Sequence, residues 1–119
     1  MGKRGRRRGA EALSAPESAY TSPGGDVLVL RGAMSPATRR AYADVAGGSP
    51  LSREDAWQRA VEFLFERLAV RWEIAGAPPI AKHKALLARY RMASQEERQF
   101  VRETLRKHLA EWFPEMEAP

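Results

Sequence analysis

The sequence predicts an all-α fold, a small bundle of three to four helices with a disordered basic N-terminal arm and one short extended segment. Three observations predict it. Beyond residue 35, apolar side chains recur every three or four positions over most of the chain. Capping residues open those stripes, and Gly or Pro closes them. Only one segment reads as a strand. At 119 residues the chain has the length of a single domain with one modest core. The expected layout is an arm and linker over 1–25, an extended segment over 26–34, a bundle over 35–114 and a tail over 115–119.

The arm is rich in Gly, Ser, Pro and charge, and Leu13 and Tyr20 are its only sizeable apolar side chains after Met1. So little burial does not offset an ordering entropy of about 1–2 kcal/mol per residue. Val27-Leu28-Val29-Leu30 follows, a β-branched apolar run entered through Gly24-Gly25-Asp26 and left through Arg31-Gly32. Its backbone groups need partners. It lies extended across the helices, pairs with the same segment of a second chain, or is a helical turn. The first is favoured and the second comes next, which makes Val27, Leu28, Val29 and Leu30 candidate interface residues.

Helix one has Ser35 as N-cap, Pro36 at the first helical position and Gly47-Gly48 as its stop. Helix two opens on Ser52-Arg53-Glu54-Asp55, a capping box with Asp for Glu, and is expected to run to about Ala75. Its stripe is Trp57, Val61, Leu64, Leu68 and Trp72, widened by Phe63 and Phe65, so it should be the central element. Helix three is expected over about Ile80 to Met92. Helix four begins with the full capping box Ser94-Gln95-Glu96-Glu97 and carries Phe100, Val101, Leu105, Leu109 and Trp112 until Pro114.

Charge placement supplies the functional expectation. The net charge is +5, and Lys3, Arg4, Arg6, Arg7 and Arg8 account for all of it. Glycines keep these side chains flexible, and guanidinium groups grip phosphate bidentately. Such an arm binds nucleic acid through counterion release, without base readout, since no aromatic residue interleaves with the arginines. From Ile74 to Gln95 there is no acid, and Lys82, Lys84, Arg89 and Arg91 form a second candidate phosphate-facing set. These four partly surround helix three rather than sharing one face. Helices three and four superficially suggest a helix-turn-helix, but Glu96, Glu97, Glu103 and Glu111 make helix four a poor duplex reader.

Ser35-Pro36-Ala37-Thr38-Arg39-Arg40-Ala41-Tyr42 resembles the opening of the core-binding domain of tyrosine recombinases. The resemblance stops there, because Gly47-Gly48 ends the helix where that family continues, and it assigns no function.

No catalytic constellation is visible. His83 and His108 sit on different helices, and His108 with Glu111 lacks the further carboxylates of a helical metal site. Glu62 and Glu66, one turn apart, read as solvated surface. No glycine loop has phosphate-binding spacing, and no cofactor is implied. Trp57, Trp72 and Trp112 read as core or interface. The absence of cysteine fits a reducing compartment. No stretch approaches the roughly 20 apolar residues of a membrane span, and no apolar signal core follows Arg8. The sequence therefore predicts a cytoplasmic, non-enzymatic accessory protein that meets nucleic acid and self-associates. The alternative is a self-associating helical interaction module whose arm aids solubility or docks on an acidic partner.

Overall fold

The computed structural model describes residues 16–47 and 53–116. Its elements run β1 (Glu17–Thr21), β2 (Val27–Arg31), α1 (Pro36–Gly47), α2 (Arg53–Leu68), β3 (Ala69–Glu73), α3 (His83–Arg91) and α4 (Gln95–Trp112). The three strands form an antiparallel sheet in the order β1-β2-β3. The fold is thus α/β, and the all-α expectation is corrected.

The correction begins inside the expected arm. Glu17-Ser18-Ala19-Tyr20-Thr21 alternates exposed and half-buried side chains, the two-residue period of a strand lying on a core. Only Tyr20 is large and apolar among them, so hydropathy alone hid the alternation. The hairpin to β2 is built from Ser22 to Asp26. Gly25 N–H donates to the Ser22 carbonyl at 3.0 Å, Ser22 Oγ accepts from Asp26 N–H at 3.0 Å, and Gly25 takes a φ of 95°. A turn closed by a left-handed glycine is a common three-residue hairpin loop, and there glycine avoids the Cβ clash.

β2 is the central strand. It pairs with β1 from Glu17↔Arg31 to Thr21↔Val27, and with β3 from Val27↔Glu73 to Leu30↔Ala69, with a register shift between Val29 and Leu30. Both edges of Val27–Leu30 are therefore filled by the same chain. The candidate interface at Val27, Leu28, Val29 and Leu30 is corrected: these residues lie inside the sheet, and Leu28, Val29 and Leu30 are buried.

β3 corrects the expected end of helix two. The helix stops at Leu68 and the strand starts at Ala69 without a loop. Trp72 kept the helical spacing from Leu68 and is fully buried, but as a strand residue opposite Leu28. Helix propensity is a weak prior that the pairing demand of a neighbouring strand overrides. Past a turn at Gly76 (φ 86°), Ile80 pairs with Trp72 through two 2.9 Å hydrogen bonds, so α3 begins only at His83.

The remaining cap signals hold where the structure describes them. Ser35 Oγ accepts from Thr38 N–H at 3.1 Å. The Ser94–Glu97 box is complete in both directions, at 3.1 and 2.9 Å. Such a cap is worth about 1 kcal/mol. Ser52 lies outside the described residues.

The helices cover one face of the sheet. Leu28, Leu30 and Trp72 meet Leu64, Phe65 and Leu68 of α2, Leu86 and Tyr90 of α3, and Val101, Leu105 and Leu109 of α4 in one buried cluster. Phe65 is its hub, edge-on to Trp72 at 5.6 Å and stacked on Tyr90 at 5.1 Å. α2 is central, as its broad stripe implied, and the sheet supplies the cover that the stripe required.

Candidate functional site

The sequence-predicted basic residues do not converge. Lys3, Arg4, Arg6, Arg7 and Arg8 lie outside the described residues. On α3 and at its N-cap, Lys84 and Lys82 are exposed. Arg89 donates to Glu97 of α4 at 2.8 Å and lies over the Trp72 ring at 5.5 Å. Arg91 donates to Glu62 of α2 at 3.1 Å. The Arg89 guanidinium, with Ser94 N–H, holds the Glu97 carboxyl below its usual range. Arg89 and Arg91 therefore clamp α3 to its neighbours, leaving the two lysines to the solvent. Glu62 and Glu66, expected as solvated surface, accept from Arg91 and lie 3.3 Å from His83 Nε2, respectively.

A more concentrated cationic feature lies where α4 faces α2. An open groove of about 460 Å³ runs between them. Arg98, Arg102 and Arg106 line it at successive intervals of four, beside the buried stripe Val101, Leu105 and Leu109. That spacing stacks side chains on one helix face with about 6 Å of rise between them. Each arginine has a different setting. Arg98 donates to the Arg91 and Ala93 carbonyls at 2.8 and 3.2 Å, covering the open end of α3, with its guanidinium 5.2 Å from the Tyr90 centroid. Arg102 reaches across to α2, with its guanidinium carbon over the ring of half-buried Trp57, 4.4 Å from the centroid. Arg106 is exposed at the far end. Glu54 and Glu103 also line the groove, and each accepts from a glutamine on its own helix, Gln58 at 3.4 Å and Gln99 at 3.3 Å.

The acids of α4 make it a poor duplex reader by sequence, and Trp57 reads there as core or interface. The Arg98-x3-Arg102-x3-Arg106 spacing was the signal that could have found the groove. Counting charges along the helix hid it, because Glu97 and Glu111 fall outside the groove lining.

His108 belongs to a different arrangement. It is fully buried beneath the hairpin, with Nε2 2.7 Å from the Arg31 carbonyl and Nδ1 2.8 Å from the Tyr20 hydroxyl. A carbonyl only accepts, so Nε2 carries the proton and Nδ1 accepts from Tyr20. Burial pushes its pKa down, against the opposing pull of the Arg31 carbonyl and Glu111. Next to it Trp112 Nε1 donates to Ser18 Oγ at 3.0 Å. The neutral imidazole is satisfied at both nitrogens and sealed from solvent, so it ties β1 and β2 to α4. It does not present a base to a substrate. Among the described residues no group of three His, Asp or Glu side chains is placed to hold a metal ion, and no helix is long and apolar enough to cross a membrane.

No protein-family model, curated protein or solved structure matches this chain.

Proposed function

We propose that the protein is a non-enzymatic accessory protein that associates with nucleic acid through its N-terminal arginines. One observation carries this reading: Lys3, Arg4, Arg6, Arg7 and Arg8 hold the whole net charge of +5, ahead of a domain whose positive and negative charges cancel. A polyanion is the partner such an arm attracts most strongly, and it releases condensed counterions on binding. The binding is electrostatic and blind to sequence, because guanidinium and ammonium groups meet phosphates alike on every sequence and no aromatic residue interleaves with them to stack on bases. The absence of cysteine suits the reducing cytoplasm. The test is binding against salt. Each phosphate contact contributes about −0.9 to the slope of log affinity on log salt for a duplex, so replacing Arg6, Arg7 and Arg8 with Ala should flatten the slope by roughly two to three units. Absence of binding by the intact chain at low salt would end this reading.

A second reading, self-association, keeps one supporting observation. β1 stands at the edge of the sheet with its outer backbone edge unpaired among the described residues, the kind of edge that a second copy can extend. A dimeric mass at tens of micromolar would favour it, and a monomeric mass would remove it.

A further inference from the structure

We infer that the groove between α2 and α4 is a second contact for nucleic acid, taking a short extended stretch of single strand. This deepens the proposed function and rests on it. The Arg102 guanidinium lies against the Trp57 indole at 4.4 Å, and both line the groove. An arginine backed by an aromatic ring is a flat, cationic platform, and unpaired bases stack on such planes. Arg106 follows one helical turn away, about 6 Å along the axis, close to the repeat of phosphates on an extended strand. Arg98 stays with the α3 carbonyls and holds the groove wall in place.

Gln58, Gln95 and Gln99 add amide donors and acceptors around the platform, which suit base edges without selecting one base. Glu54 and Glu103 also line the groove and repel phosphate, which limits how many phosphates can be held there. A duplex hides its base faces, so the platform discriminates for single strands where the arm does not.

The test uses the full chain, with fluorescence anisotropy of a labelled oligothymidine and of a duplex of equal length. Arg102→Lys keeps the charge and loses the planar stack. It should weaken single-strand binding about tenfold and leave duplex binding unchanged. Arg106→Gln, at an exposed position, should lower the single-strand salt slope by about 0.7. Tryptophan fluorescence should be quenched on oligothymidine binding by the parent, and this quenching should be lost in Trp57→Phe. If Arg102→Lys folds poorly, Arg106→Gln and the quenching decide alone.

Unchanged single-strand affinity, slope and quenching in these variants, with binding still weakened by Arg6, Arg7 and Arg8→Ala, overturn the groove inference and leave the arm reading standing. Failure of the parent to bind either oligonucleotide at low salt overturns both. Equal competition by polyglutamate for the quenching site also overturns the inference, because it makes the groove a site for acidic peptide.

Discussion

His108 has two consequences that can be measured. Its folded-state pKa lies below the ordinary value of about 6.5. The unfolded chain therefore binds the proton more readily, so this group's contribution to stability is complete above pH about 6.5 and is lost as pH falls toward the folded-state pKa. Thermal midpoints should decline from pH 7 to 5, and His108→Gln should flatten that decline. Tyr20→Phe removes the donor to buried Nδ1 and should cost about 1–3 kcal/mol by urea denaturation at pH 7.5. A parent and a Tyr20→Phe variant of equal stability would mean that the hydroxyl is not needed there. In the core, Leu64 is fully buried, and Leu64→Ala should cost about 2–5 kcal/mol. That is large against a typical total of about 5–15 kcal/mol.

At the level of elements, β1 is held by side chains more than by hydropathy. Its ladder to β2, the Tyr20–His108 bond and the Trp112–Ser18 bond all break together if it is removed. Deleting residues 1–22 should therefore lower the melting midpoint by well over a few degrees and leave a buried imidazole nitrogen unpartnered. An expendable arm over 1–25 would predict the opposite. Gly32 follows β2 at the same junction. A Cβ there would stand 2.9 Å from Trp112 Cδ2 and 3.2 Å from Pro16 Cγ. Gly32→Ala must push the indole aside and should cost about 1–3 kcal/mol, read by denaturation together with a changed near-ultraviolet tryptophan signal.

For the whole molecule, arm and domain should separate cleanly. Deleting residues 1–9 should abolish most salt-sensitive retention on heparin. It should leave the melting midpoint within a degree or two, because β1 and everything packed on it remain. A midpoint that falls with this shorter deletion would mean that the basic residues also brace the fold.

Local chemistry in the sequence was enough for the helix starts at Ser35 and Ser94, the extended nature of Val27–Leu30 and the central place of α2. Those features depend on near neighbours: a cap bonds three residues ahead, and a stripe repeats every turn. Tertiary structure decided the rest. Whether Ala69–Glu73 continued the helix or became a strand depended on β2, whose partner residues lie 42 and 44 positions earlier in the chain at Val29↔Arg71 and Leu28↔Trp72. Whether Glu17–Thr21 was ordered depended on His108 and Trp112, 88 and 94 residues from their β1 partners Tyr20 and Ser18 in sequence. The Arg102–Trp57 groove exists only because α4 docks beside α2. Strand pairing and side-chain clamps join residues far apart in sequence, and no local period or capping motif records which distant partner will arrive.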